Sequence, residues 1–167
     1  MNETPSGPMT GSILRLERML LDCPAFVQRV RGDNELEWRE SIKLFEYEDD
    51  PELLKKARPF AAIWPADALD FREFAGGEKN WLRGGGELVL MLTDNDRFPA
   101  DTRAAWFDFV GWVDTVFMDI KKRSGRDQGL DVSSLKWMHR PAHSERSEPR
   151  TQWYFWCALL VGWGGGD

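Results

Sequence analysis

Cysteine and histidine are scarce in this chain of 167 residues, which has two of each. Two cysteines, Cys23 and Cys157, are too few for a disulfide framework or for a cysteine-based zinc module. The histidines, His139 and His143, stand four residues apart, but Pro141 between them prevents the helix that would align them on one face. The sequence therefore contains no recognisable set of metal ligands, and we expect no bound metal.

The chain also lacks a net positive charge and long apolar runs. The chain has 22 basic and 28 acidic residues and a net charge of −6, so no overall basic field would hold a nucleic-acid backbone. The longest uncharged run, residues 151–166, is shorter than the roughly 20 residues that a membrane-spanning helix needs. Arg15, Glu17 and Arg18 interrupt the first apolar stretch, so we expect no signal peptide and no membrane partner.

Motifs that carry chemistry are missing as well. The glycine clusters at residues 76–77 and 84–86 are not followed by the Lys-Ser or Lys-Thr of a phosphate-binding loop, and neither a dinucleotide fingerprint nor a nucleophile elbow occurs. The acidic run at residues 46–50 lacks the ligand spacing and the glycine of a calcium loop. The sequence therefore predicts no enzyme, no catalytic residue and no cofactor.

Aromatic residues, in contrast, are abundant, with nine tryptophans and ten phenylalanines. Large aromatic side chains dominate the energetics of cores and interfaces, so this composition favours a protein whose role is to make contacts. Apolar residues make up 42% and charged residues 30% of the chain, which is typical of a folded globular protein. The length is that of one domain.

Helical periodicity is clearest at residues 100–122, where apolar side chains recur on one face. These are Trp106, Phe109, Val110, Val113, Phe117 and Ile120. An earlier pattern begins after Thr10 and Ser12, is interrupted by Pro24 and stops at Gly32. It predicts a short N-terminal helical pair.

Apolar runs bounded by glycine, proline or polar residues predict the strands. The runs cover residues 60–64, 69–74, 87–93, 130–138 and 151–163, residues 42–47 are a candidate edge strand, and the glycine clusters would supply turns. A phase change near Ser133-Ser134 predicts a bulge, and the polar residues 139–150 are expected to form a loop.

Runs of strands with few helices between them predict an α+β fold. The expected single domain spans residues 12–163, between a flexible leader at residues 1–11 and a flexible Gly tail at residues 164–167. It would be a mainly antiparallel β-sheet of four to five strands, packed against one long helix and the short N-terminal helical pair.

The last predicted strand is apolar on both faces, with Trp153 and Cys157 on one and Tyr154 and Trp156 on the other. In an antiparallel sheet with one solvent-exposed face, apolar and polar residues should alternate along each strand. The predicted helices would cover only one face. Either the sheet curls and buries both faces within the chain, or a neighbouring chain covers the second face. We favour a stable oligomer, because exposed apolar patches of this size mark interaction sites.

Four segments resemble parts of the tail-terminator proteins of long-tailed bacteriophages, also called tail-completion or neck proteins. They are Leu20–Phe26 in the helical opening, Arg58–Ile63 at the first core strand, Asp108–Gly111 in the long helix, and the aromatic closing strand Trp153–Trp163. The resemblance covers most of residues 12–163. It implies an α+β subunit that forms a ring, commonly a hexamer. Such a ring caps the major tail tube protein, stops tail polymerisation and joins the tail to the head-tail connector protein.

The same resemblance implies a virion protein of the tail or neck that is made in the host cytoplasm. DNA would pass through the ring without sequence-specific binding, and a net acidic chain is consistent with such a conduit. The candidate subunit interface consists of Phe74, Trp81, Tyr154 and Trp156, with Trp81 in the glycine-flanked hairpin at residues 74–86. The candidate acidic surface that faces the lumen or the tube consists of Glu46, Glu48, Asp49, Asp50, Asp94 and Asp96.

Three alternative functions remain open. A head-completion or connector protein of the phage neck would share the virion context but would bind a different ring. A non-phage oligomeric interaction module would form a small oligomer and would not bind tail tubes. A small hydrolase that uses acidic residues and a metal would bind a divalent cation.

Overall fold

The structure, a computed structural model, describes residues 8–44, 58–72, 83–95, 97–98, 100–124, 130–137, 143–147 and 152–164. Within these ranges the helices are α1 (Pro8–Leu21), α2 (Pro24–Val27), α3 (Glu35–Glu40) and α4 (Thr102–Ser124). The strands are β1 (Ile42–Leu44), β2 (Phe60–Arg72), β3 (Arg83–Asn95), β4 (Leu130–Trp137), β5 (His143–Ser147) and β6 (Gln152–Gly164). This order confirms the α+β fold class.

The described strands form one sheet in the order β1-β2-β3-β6-β4, and β5 also pairs with β6. Only the pairing of β1 with β2 is parallel, so the sheet is mainly antiparallel, as predicted. Strands β4 and β5 pair with opposite ends of β6. Strand β5 lies in the segment predicted to be a loop, and it brings the sheet to six strands, where four to five were expected.

The glycine triplet at residues 84–86 lies inside β3, although the sequence favoured a turn. These glycines pair with residues 69–71 of β2 on one side, and Gly85 and Gly86 pair with β6 on the other. Because β3 is flanked by two strands, its backbone groups are satisfied by pairing on both edges, which outweighs the weak strand preference of glycine. The two predicted strands at residues 60–64 and 69–74 are correspondingly one strand, β2, with a register shift between Pro65 and Leu69.

Two smaller predictions about the strands are confirmed. The pairing of β4 with β6 is irregular between Asp131 and Lys136, where a bulge was expected. The candidate edge strand is present as β1 at the edge of the sheet in its described part, Ile42–Leu44, while residues 45–47 lie outside the described residues.

The long helix α4 is confirmed, and Asp101 caps it by accepting a hydrogen bond from the Ala104 amide at 3.0 Å. Helix α1 begins at Pro8, inside the segment predicted to be a flexible leader. Proline suits the first position of a helix because its missing N–H would have no partner there.

Helix α3 was not predicted from the sequence. The Asn34 side chain accepts hydrogen bonds from the amides of Leu36 and Glu37, and the Glu37 carboxylate accepts one from the Asp33 amide. This pattern resembles a capping box, except that Glu37 accepts from the amide one residue before the N-cap, and it satisfies free amides at the start of the helix.

The helices pack on one face of the sheet, where α1 contacts β2, β3 and β6, α3 contacts β1, and α4 contacts β4 and β6. Residues paired across the sheet share this face, as Ile63, Leu90 and Leu159 do. The helical side of the core is formed by Ile13, Leu16 and Leu20 of α1 and by Phe109, Val113, Val116 and Ile120 of α4. Phe109 stacks on Phe155 of β6 with 5.6 Å between the ring centroids. The two apolar layers therefore hold the domain together by mutual burial.

Two leucines of α1 provide a matched test of this core. Leu20 is fully buried, whereas Leu14 is 44% exposed. We expect Leu20→Ala to lower the free energy of unfolding by about 2–5 kcal/mol, because it removes buried methyl groups and leaves a cavity. Leu14→Ala should change it by no more than about 0.5 kcal/mol. Urea unfolding monitored by circular dichroism measures both, and equal losses would contradict the assigned packing of α1.

Candidate functional site

The face of the sheet opposite the helices, here called the second face, carries aromatic and apolar side chains from three strands. By register, the described members are Phe60, Ala62 and Trp64 of β2, Val89, Met91 and Thr93 of β3, and Tyr154, Trp156 and Ala158 of β6. Trp64, Met91, Tyr154 and Trp156 are half-buried, so part of their surface reaches solvent. The sheet is therefore apolar on both faces, as the sequence indicated.

Part of the second face is already covered within the single chain. Phe60, Ala62, Val89 and Ala158 are buried although they lie away from the helical core. At these four residues, the chain itself covers the second face, and no neighbouring chain is needed to bury them. Among the described residues of the second face, the surface that remains accessible to solvent is concentrated at Trp64, Met91, Tyr154 and Trp156.

A buried arginine organises one end of the second face. Arg58 is 8% exposed, and its Nε donates a hydrogen bond to the Thr93 hydroxyl at 3.1 Å. That hydroxyl donates in turn to the Phe155 carbonyl at 2.9 Å. The Arg58 guanidinium lies over the Tyr154 ring, 3.8 Å from its centroid, in a cation–π contact. Tyr154 is therefore held in one orientation by Arg58.

The predicted interface residues are only partly brought together. Tyr154 and Trp156 lie on the second face, two positions apart in β6 and both half-buried. Phe74 and Trp81 lie outside the described residues. Strand parity located the first pair, because alternate residues of a strand share a face.

The predicted acidic surface needs one correction. Asp94 does not face a lumen or a tube, because it is 1% exposed. Its carboxylate accepts hydrogen bonds from Arg29 Nε at 2.6 Å, Arg97 Nε at 3.0 Å and the Asn95 amide at 2.8 Å. A buried carboxylate is tolerated only when such donors compensate its lost hydration. The other members of that set, Glu46, Glu48, Asp49, Asp50 and Asp96, lie outside the described residues.

Arg29 links the sheet to the helices and was not identified from the sequence. Its Nη2 donates to the Asp108 carboxylate of α4 at 2.6 Å, while its Nε contacts Asp94 at the end of β3. Its guanidinium also lies 4.9 Å from the centroid of the Trp112 ring. No local sequence pattern identifies this cluster, because Arg29 is separated in the sequence by 65 residues from Asp94 and by 79 from Asp108.

A cleft of about 430 Å³ opens beside this cluster, between α2 and α4. Its lining residues are Ala25, Gln28, Arg29, Arg97, Phe107, Asp108, Gly111, Trp112 and Thr115. The Trp112 indole donates a hydrogen bond to the Ala25 carbonyl at 3.0 Å and thereby fixes the distance between the two helices. The cleft is open to solvent and combines aromatic walls with charged groups.

Burial makes both cysteines poor nucleophiles. It raises the pKa of Cys23 to about 11, with the nearby Asp119 carboxylate contributing in the same direction. Burial in the sheet also raises the pKa of Cys157. The structural roles predicted for the two thiols agree with their environments, since the thiolate is the reactive form.

Among the described side chains, no group of three or more His, Cys, Asp or Glu residues is placed to hold a metal ion. His139 lies outside the described residues, and His143 is the first residue of β5. None of the described helices has both the length and the apolar character needed to cross a bilayer.

Comparison of the chain with models of protein families finds no match, and comparison with curated proteins finds none either.

The charge cluster at Arg29 can be tested through Asp94. Asp94→Ala should destabilise the fold by about 1.5–3 kcal/mol, because it removes the buried carboxylate to which Arg29 and Arg97 donate, while Arg29 keeps its contact with Asp108. The matched control, Asp114→Ala, removes an exposed carboxylate from α4 and should have an effect within about 0.5 kcal/mol. Denaturant titration of both variants measures the difference, and a neutral Asp94→Ala would show that the cluster contributes little to stability.

The two thiols are expected not to react with thiol reagents in the native protein. At pH 8, only about one thousandth of the Cys23 population would be thiolate, because its pKa is raised to about 11. Ellman's reagent should therefore label no thiol in the folded chain and two per chain in denaturant. A rapidly labelled thiol in the native protein would contradict the burial assigned to these residues.

Proposed function

We propose that the protein is a structural virion protein that assembles into a ring, similar to the tail terminators of long-tailed bacteriophages. The observation that carries this proposal is the second face of the sheet, where Trp64, Tyr154 and Trp156 keep solvent-accessible surface. Burying such aromatic side chains against another chain stabilises an assembly through the hydrophobic effect. Self-association is therefore the function that this surface supports best.

The composition of the second face supports a protein contact in particular. Cores of protein interfaces are enriched in aromatic residues, methionine and arginine. Trp64, Met91 and Trp156 lie on the second face. The Arg58 guanidinium stacks on the ring of Tyr154. A side chain that is already ordered loses little conformational entropy when a partner binds.

The resemblance supplies the biological context of the proposed ring. It would cap the major tail tube protein, stop tail polymerisation and join the tail to the head-tail connector protein. The protein would be made in the host cytoplasm and would reside in the tail or neck of the virion. DNA would pass through the lumen without sequence-specific binding, a passage that the net charge of −6 favours by repelling the phosphate backbone.

The mass of the purified protein in solution tests the assembly directly. Light scattering on a size-exclusion column, over a series of concentrations, should give a mass near six times 19.3 kDa. Trp156→Asp and Trp64→Asp should each lower this mass to that of the monomer, because each places a charge in the buried contact. Phe117→Ala, which trims a half-buried side chain of α4, is the control and should leave the mass unchanged.

A mass that stays at one subunit at every concentration would contradict a preformed ring. Folded Trp156→Asp and Trp64→Asp variants that both retain the wild-type mass would contradict the use of the second face.

Co-sedimentation with purified tail tubes then separates the candidate functions. A ring that pellets with the tubes supports the terminator, whereas a ring that binds only connectors would indicate a head-completion protein. A ring that binds neither would indicate a non-phage module.

A further inference from the structure

Residues 31–40, here called the strap, connect two buried anchors. Val30, before the strap, is 6% exposed, and Ile42, after it, is 5% exposed. The carbonyl of Ser41 also accepts a hydrogen bond from the Ala61 amide at 2.9 Å, which ties this end to the sheet. The strap between the anchors contains α3, and none of the residues of that helix is buried. Segments with few buried apolar contacts are the ones that open locally at low cost.

Ion pairs hold the middle of the strap on α1. Glu35 accepts hydrogen bonds from Arg18 Nη1 of α1 at 2.9 Å and from Arg39 Nη2 at 3.1 Å. The three side chains are 46–55% exposed, and ion pairs at such exposure are weak and screened by salt. Leu36 is 76% exposed, so the apolar contribution of α3 comes from Trp38, which is half-buried against the core. The closed position of the strap therefore depends strongly on charge.

A buried carboxylate of α1 opposes the closed position. The Glu17 side chain is 8% exposed, and Arg39 Nη1 of the strap lies 3.9 Å from its Oε2. That distance is too long for a hydrogen bond, and no group among the described residues donates one to Glu17. A buried carboxylate without close donors has lost hydration at a cost in free energy. Because Arg39 moves with the strap, opening admits water to Glu17 and returns that hydration.

Gly32 provides the turn that leads into the strap. Its φ is +117°, a conformation that residues with a side chain rarely adopt. A Cβ atom added at this position would collide with the Cβ atom of Glu37. The Glu37 carboxylate in turn accepts hydrogen bonds from the Asp33 amide and from Asn34 Nδ2, both at 2.7 Å. The closed strap thus requires a glycine at position 32.

We infer that the strap is a conformational switch that responds to ionic strength, and that it opens between its anchors while the sheet and α4 stay folded. At low salt the ion pairs of Glu35 keep α3 on α1. At high salt these pairs are screened, whereas the hydration that Glu17 gains on opening remains. The strap contacts α1 and β1, away from the second face, so the inference is independent of the proposed ring.

Hydrogen exchange of the full-length native protein, followed by mass spectrometry, tests the switch. Between about 0.01 M and about 1 M NaCl, the Debye length falls from about 30 Å to about 3 Å. Peptides from the strap should exchange about tenfold faster at the higher salt concentration, because the two exposed ion pairs of Glu35 are lost. Peptides from α4 are the internal reference and should keep their rate. Strap and α4 peptides that respond equally to salt, or strap peptides that do not respond, would overturn the inference.

Two charge-removing substitutions should move the strap in opposite directions. Glu35→Gln removes both ion pairs, so strap exchange at low salt should rise about tenfold and lose its salt dependence. Glu17→Gln removes the buried charge and should slow strap exchange by about threefold or more. Asp114→Asn, on the exposed side of α4, is the matched control and should leave strap exchange unchanged. Faster strap exchange in both variants would indicate a purely structural role of the two carboxylates and would overturn the switch.

Gly32→Ala tests whether the strap opens independently of the rest of the chain. The added Cβ atom excludes the closed position, so strap peptides should exchange without protection at low and high salt alike. Peptides from α4 and β6 should keep their wild-type protection. Loss of protection in α4 and β6, or a strap that stays protected, would overturn the inference.

Discussion

The contact between Arg29 and the buried carboxylate of Asp94 is the constraint on which the rest of the helical layer depends. It ties the segment after α2 to the end of β3, and through Asp108 and Trp112 it positions α4 over the sheet. A carboxylate in this place is stable only while its donors remain, because an unpaired buried charge costs several kcal/mol. The cleft between α2 and α4 follows from the same contact. Asp94 binds Arg97 at the rim of the cleft, and Arg29 forms an ion pair with the Asp108 carboxylate, which also lines the cleft.

Elements with a strong local pattern could be predicted from the sequence, and elements defined by distant partners could not. The 3.6-residue period of α4 and the apolar run of β6 identified both correctly. The glycines at residues 84–86 have no local strand pattern, and they join β3 only because β2 and β6 satisfy their backbone groups. Helix α3 did carry a local signal that was not recognised, the N-cap Asn34 followed three residues later by Glu37.

The candidate surfaces divide in the same way. Strand parity placed Tyr154 and Trp156 on one face, because alternation is fixed by the geometry of an extended chain. Whether a charged side chain is buried depends instead on partners that lie far away in the sequence. Asp94 therefore looked like a solvated turn residue, and Arg58 gave no sign that it would be buried over Tyr154.

The position of β6 has a consequence for the order in which the chain can fold. It is the last of the described strands in sequence, yet it lies inside the sheet, between β3 on one side and β4 and β5 on the other. Until β6 has left the ribosome, β3 has an open edge and the apolar surface beneath α4 is incomplete. Contacts between segments so far apart slow folding and leave partly folded chains prone to aggregation. Synthesis of β6 therefore sets the earliest moment at which the chain can complete its sheet and the two faces that the sheet presents.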